Sequence, residues 1–248
     1  MNNTKDVSKR QARREQIQRK EKLGRLIGIG LISLGAIFVA FLIIYPNFKP
    51  VGAITTPPAV VRPNVEFNAA GNPDAPIRID EYSDFQCPYC AKFYQDTEAQ
   101  LMETYVTDGT VYFVYNTFGE FIGPESASSG EAAYCAGDQG KFWEMHDIIL
   151  SNQAGENQGA FANPRLIAFA KTLKLDMTTF ESCFNGKNYK DMITQDGKDG
   201  LAGGVQATPS FVMTYTVNGV VKTKLIEGAQ TFDGFKTEID AALAEMGK

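Results

Sequence analysis

The residues in this chain best suited to covalent chemistry are the two thiols of Cys87-Pro88-Tyr89-Cys90. Cysteines at this spacing sit one helical turn apart, close enough to form and exchange a disulfide or to supply half of a metal site. Context narrows the choice. The pair follows a strand-like run, Pro76 to Tyr82, and opens a helical pattern, with Pro88 suited to the first turn because a missing N–H costs nothing there. Cys87 then falls at the N-cap, where free backbone N–H groups and the positive helix end stabilise a thiolate. Cys90, one turn in, is the more buried. Cys87 would be the attacking or attacked sulfur and Cys90 the resolving thiol. The alternatives are an inert disulfide and a zinc site, although a four-cysteine zinc site usually needs two closely spaced pairs. The other two cysteines, Cys135 and Cys183, are 48 residues apart.

Those two lie on helical segments beside Tyr134, Phe180 and Phe184. Two readings are open: a structural Cys135–Cys183 disulfide, to which chain entropy assigns about 4 kcal/mol, or two separately buried thiols. The single histidine, His146, lies one turn after Phe142 and Trp143 on an apolar helical face. Without a second histidine it suits a hydrogen-bonded core role, and Trp143 and the other aromatic residues suit the core as well. The sequence offers no basis for a metal site or a cofactor.

The elements that must position these groups follow from periodicity. Strands are expected over 76–82 and 111–115, with a helix over 88–105 between them. Helical segments follow one another from about 125 to 201. Two strands return at 210–216 and 221–227, joined by the hairpin signal Asn218-Gly219, and a helix over 232–246 closes the pattern. A strand–helix–strand unit followed by a hairpin and a helix makes an α/β fold on a four-stranded mixed sheet. The helical block is an insertion into it.

The chain has 248 residues, 44% hydrophobic and 21% charged, which excludes collagen-like, disordered and disulfide-knot classes. A net charge of -5 argues against nucleic-acid binding. That figure hides a division. Residues 1–25 hold nine Lys or Arg against three acids, a net +6, whereas 26–248 hold 15 basic and 26 acidic residues, a net -11. Between the two lies an uncharged run of twenty residues, 26–45, long enough at about 1.5 Å per residue to cross the hydrocarbon core of a bilayer. Basic residues on its N-terminal side place the N-terminus in the cytoplasm and 46–248 outside. Val51-Gly52-Ala53 would serve as a signal cleavage site, but the length of the apolar run and its separation from that site favour an uncleaved signal-anchor. Residues 46–63 carry five of the eleven prolines and read as an extended tether.

With these features in place, the sequence resembles the DsbA family of thiol-disulfide oxidoreductases, in particular its membrane-anchored bacterial members. The resemblance rests on GNPDAPIRIDEYSDFQCPYC (71–90), GKFWEMHDIIL (140–150), GVQATPSF (204–211) and FDGFKTEIDAAL (232–243). It implies a thioredoxin-like fold over 64–248 with a helical insertion over about 120–203, preceded by one transmembrane helix. Two further site assignments follow from the resemblance. Thr208-Pro209 stands at the cis-proline loop that packs beside the active-site cysteines. Glu81, six residues before Cys87, stands at the buried acid that accepts a proton from Cys90. The Pro-Tyr dipeptide departs from the Pro-His of the best-known member, which removes one stabiliser of the Cys87 thiolate. The implied activity is a disulfide oxidase acting on exported client proteins and reoxidised by a DsbB-like or VKOR-like membrane quinone reductase. An isomerase or reductase, or an anchored binding module, would use the same scaffold.

Overall fold

Alternation of Ile77, Ile79, Glu81 and Ser83 with more exposed neighbours marks the strand around which the domain is built. In the computed structural model, residues 22, 24–26, 28, 30–41, 51–119 and 121–248 are described. The chain divides into two units, Met1–Pro50 and Val51–Lys248. In the first, helix α1, Gly24–Phe41, has a mean hydropathy of 2.0 and none of its described residues is buried, so it is long and apolar enough to cross a membrane. Most of the basic segment 1–25, part of the apolar run 26–45 and residues 46–50 of the expected tether lie outside the described residues.

The second unit holds a five-stranded sheet of β1 (Ala69–Ala70), β2 (Ile77–Ser83), β3 (Val111–Thr117), β4 (Ser210–Val217) and β5 (Val220–Glu227), in the order β1-β3-β2-β4-β5. β2 runs parallel to β3 and antiparallel to β4, so it lies at the centre with its C-terminal end leading into the first cysteine. The β4–β5 hairpin turns on Asn218 and Gly219, both with positive φ, as a two-residue turn between twisted strands requires. β1 adds one strand to the four expected. Its two residues pair with Val114 and Phe113, and a strand that short carries no period for the sequence to show.

Helix α2 (Pro88–Phe93) continues through a π-helical stretch (Tyr94–Glu98), α3 (Ala99–Leu101) and a second π-helical stretch (Met102–Val106). The inserted block comprises α4 (Pro124–Gly137), α5 (Phe142–Ser151), α6 (Asn163–Thr172), α7 (Met177–Gly186) and α8 (Lys190–Ala202), and α9 (Phe232–Glu245) closes the fold. Phe93, Phe211 and Phe235 meet with ring centroids 4.6 to 5.5 Å apart, which fastens α2 and α9 to β4. Within the insertion a disulfide joins Cys135 of α4 to Cys183 of α7, with Cα atoms 5.8 Å apart. Trp143 is buried in the main core.

From residue 51 the expected tether is laid along the domain. The Thr55 backbone exchanges two hydrogen bonds with Asn152, at 2.8 and 2.7 Å, and Ala53 O accepts from Arg165 at 3.1 Å. Ile54 and Val60 pack on the core, and the Arg62 side chain is buried. The partners of that backbone come from helices about a hundred residues away.

The disulfide constrains a 48-residue separation, so the Cys135→Ala/Cys183→Ala double variant is expected to lose about 4 kcal/mol of unfolding free energy by urea titration. A loss below about 1 kcal/mol would show that packing of α4 against α7 suffices without it.

Candidate active site

The strand-to-helix junction presents the dithiol. Cys87 is the N-cap of α2, in extended conformation, and Pro88 occupies the first turn. The peptide Thr208-Pro209 is cis. It immediately precedes β4, the strand paired with β2, so sheet register brings residue 208 to residue 87 across 121 positions of sequence. In the dithiol state seen here, the Cys87 thiol donates to Thr208 O at 3.3 Å. Cys90 is fully buried and its Sγ accepts from Asp84 N at 3.5 Å. Tyr89, between the two, is 65% exposed.

The two sulfurs have opposite electrostatics. Donation from the Cys90 thiol holds the Cys87 thiolate down to about 6, against the opposing effect of burial and with help from Thr208 and the backbone N–H groups of Cys90 and Tyr89. The Thr208 hydroxyl is buried without another partner and free to turn its hydrogen toward an ionised sulfur. Burial pushes the Cys90 thiol well up, and the neighbouring Cys87 adds to that. One sulfur is therefore ionised near neutral pH while the other keeps its proton.

Beneath the pair lies a polar group set inside an apolar core. Glu81 is 1% exposed; burial first, and the nearby Glu98 carboxylate second, push it well above the usual carboxylate range. Glu98 is buried too, with Oε1 accepting from Arg62 Nη2 at 2.6 Å and Nε at 3.2 Å. Arg62 also grips Asp147 at 2.7 and 3.0 Å and lies 4.4 Å over the Trp143 ring. His146 is buried, with Nδ1 2.9 Å from Asp147 Oδ1. Glu98, His146 and Asp147 are metal-ligand types brought together, but the Arg62 guanidinium already supplies the cation between the two carboxylates. A second such group, Glu131, Cys135 and Cys183, has both sulfurs in the disulfide.

Gln86, fully buried, stitches the junction to the insertion. Its Nε2 donates to Ser126 Oγ at 2.9 Å, while its side-chain and backbone oxygens accept from Asn157 N and Gln153 at 2.6 and 2.7 Å. Beside the insertion a cavity of about 770 Å³ opens, with Phe118, Phe121, Phe184 and Ile193 along it and Lys187 and Lys198 also lining it.

The structure thus brings Cys87, Cys90, Thr208 and Pro209 together, places Glu81 below them and sets the Cys135–Cys183 bridge apart in the insertion. Residue-level reading passed over Arg62, Glu98, Ser83 and Gln86. Two of these had a signal. Glu98 occupies a buried position in the helical stripe of Tyr94, Leu101 and Tyr105, and Ser83 continues the buried alternation of β2. Arg62 had none, because nothing local distinguishes it from a solvated cation.

A dithiol split between a helix start and a buried first turn, facing a cis-proline loop, defines a thiol-disulfide oxidoreductase of thioredoxin architecture. Comparison with known proteins agrees. Residues 64–241 match the thioredoxin family model. The chain is 30% identical over 178 residues to the probable disulfide bond formation protein D of Bacillus cereus, covering 70% of this chain and 77% of that one. Another relative, Na(+)/H(+) antiporter NhaA 1 of Salinispora arenicola, is 31% identical over 142 residues, and the match spans 20% of its length. Among solved structures, oxidised BdbD from Bacillus subtilis superposes with a TM-score of 0.62 at 22% identity, covering 74% of this chain and 96% of that one. The chain belongs to the thioredoxin family, in its DsbA branch of thiol-disulfide oxidoreductases.

Because the two thiols titrate as a coupled pair, the lower apparent transition is expected near pH 6 in the reduced protein, read as thiolate absorbance at 240 nm. A Cys90→Ala protein should show that transition moved upward, since it lacks the donor that contributes most to lowering it. An unmoved transition would assign the stabilisation to the helix start and Thr208 instead.

Proposed function

We propose that this chain is a membrane-anchored disulfide oxidase acting on exported proteins through Cys87 and Cys90. The observation that carries the reading is the asymmetry of the two sulfurs, with Cys87 held as thiolate down to about 6 and Cys90 buried and protonated. A client thiolate attacks the Cys87 sulfur of the oxidised pair and Cys90 leaves. A second client thiolate then attacks the client sulfur of the mixed disulfide, and Cys87 leaves. The client gains a disulfide; the enzyme keeps a Cys87 thiolate and a Cys90 thiol. A good leaving group at Cys87 favours this direction, since it stabilises the reduced enzyme. Thr208 and Pro209 supply the backbone edge beside the sulfur, and the exposed Tyr89 and the apolar cavity along α4, α7 and α8 offer surface to an unfolded client segment. Glu81 serves as the proton store for Cys90.

Location follows from charge and redox chemistry. Helix α1 anchors the chain, the basic excess before it keeps the N-terminus cytoplasmic, and the domain faces the outside, where the Cys135–Cys183 bridge persists. Reoxidation falls to a membrane quinone reductase of DsbB-like or VKOR-like type, and clients are exported proteins with free thiols.

Equilibration of the Cys87/Cys90 couple with glutathione decides the direction. A potential nearer -120 mV than -270 mV is expected; a value around -270 mV, that of thioredoxin, would make the chain a reductant. The stabilisation of the reduced form carries a pH signature. A thiolate at about 6 in the folded protein, against about 9 unfolded, contributes fully above pH 9, progressively less between 9 and 6, and nothing once pH falls through 6. Urea unfolding of the reduced and oxidised forms should therefore diverge as pH rises from 6. Replacing Glu81 by Gln is expected to slow exchange and flatten its pH dependence, whereas unchanged rates at every pH would remove Glu81 from the proton transfer.

A further inference from the structure

Buried polar atoms are normally paired, yet six side-chain atoms on this face of the sheet have no hydrogen bond: Ser83 Oγ, Glu81 Oε2, Tyr115 Oη, Thr117 Oγ1, Glu98 Oε2 and His146 Nε2. All six residues are essentially inaccessible to solvent. Their arrangement is set by the sheet. Glu81 and Ser83 are two apart on β2 and therefore share a face. Tyr115 stands opposite Glu81 in the parallel register, its ring 5.1 Å from Phe85 and 4.9 Å from His146. Behind Glu81, Glu98 Oε2 lies 3.9 Å from His146 Nε2, and Arg62 and Asp147 complete the charged groups on that side.

Glu81 makes no hydrogen bond to the Cys90 sulfur. The hydroxyl of Ser83 shares the Glu81 face of the strand and lies one residue before the backbone N–H that reaches the Cys90 sulfur, with no hydrogen bond of its own to either group. The backbone fixes it there, because the next residue, Asp84, donates its N–H to Cys90 Sγ at 3.5 Å, and Ser83 O accepts from Phe118 N at 2.8 Å. A hydroxyl donates and accepts at once, so it can pass a proton without moving its oxygen. Tyr115 also feels both groups, but through charge alone.

We propose that the Ser83 hydroxyl relays the proton between the Glu81 carboxyl and the Cys90 sulfur. The proposal rests on reading Cys87–Cys90 as the exchanging pair. When a client thiolate forms its bond to Cys87 Sγ, the Cys87–Cys90 bond breaks and its electron pair leaves on Cys90. The Ser83 proton passes to that sulfur, and the Glu81 proton passes to Ser83 Oγ. Glu81 is left as a carboxylate beside Glu98, and this like-charge contact drives its reprotonation from solvent. The client thiolate supplies the electrons, and reoxidation runs the relay backwards. Behind Glu81, Arg62 pairs with Glu98, and its positive charge opposes the rise that burial and the Glu98 carboxylate impose on Glu81.

The test is the rate at which dithiothreitol reduces the oxidised full-length chain, followed by thiol trapping from pH 5 to 9 in light and heavy water. Ser83→Ala is expected to slow reduction about a hundredfold, to lose the solvent isotope effect and to lose the pH limb of the proton-supplying acid, with Ser83→Thr restoring all three. Adding Glu81→Gln to Ser83→Ala should cost little more, since the two lie on one path. Tyr115→Phe should stay within about twofold of the unaltered chain at every pH. A Ser83→Ala protein with unchanged pH profile and isotope effect, or a loss that follows Tyr115→Phe instead, overturns the relay and leaves the oxidoreductase reading standing. An unaltered chain that fails to react with dithiothreitol would overturn both.

Discussion

The structure turns on where the Cys87 sulfur is held: at the start of α2, above the thiol of Cys90 and against Thr208, whose carbonyl accepts from the thiol and whose side chain favours the thiolate. Each contact comes from a different level of organisation. The helix start is local and follows from Pro88. The Cys90 contact follows from one turn of helix. The Thr208 contact requires β2 and β4 to be neighbours in antiparallel register, and so requires the sheet to be complete before the sulfur is fully solvated by protein. Thiolate stabilisation is therefore linked to folding, and the redox direction of the pair is linked to it in turn.

The surroundings of the pair keep this geometry from relaxing. Gln86 binds the junction to the insertion through three hydrogen bonds, and the rings of Phe93, Phe211 and Phe235 lock the far side of α2 to the sheet. Behind it, Arg62 joins Glu98 and Asp147 in a buried ion cluster. Such a cluster is weak evidence for stability, since desolvation offsets much of the attraction. Its value here lies in electrostatics: it sets the Glu98 carboxylate, which raises Glu81, beside the Arg62 guanidinium, which lowers it. A segment that composition marks as a linker thus delivers a residue to the floor of the reactive centre.

Much of the architecture was legible in the sequence. Strand and helix periods placed β2 to β5, α2 and α9 within a few residues, and the hairpin was announced by Asn218-Gly219. Of the site, Cys87 and Cys90 could be read from spacing and context, because their chemistry depends on a local helix start. Thr208, Pro209 and Glu81 required resemblance to a family, since no local pattern links residue 208 to residue 87. β1 was too short to carry a period. Ser83, Glu98 and Arg62 were passed over because polar residues in amphipathic patterns are ordinarily solvated, and their burial is a property of what packs over them.

What the sequence determined by itself was therefore everything governed by neighbours along the chain: the division of charge about an apolar run, the order of elements, and a dithiol at a helix start. The tertiary structure alone decided which distant groups meet that dithiol. Contacts such as Thr208 with Cys87 and Arg62 with Glu98 span 121 and 36 residues. Their geometry is fixed by sheet register and by burial, and burial converts an ordinary glutamate, serine and arginine into a carboxyl pushed well above the usual carboxylate range, an unpaired hydroxyl and a desolvated cation.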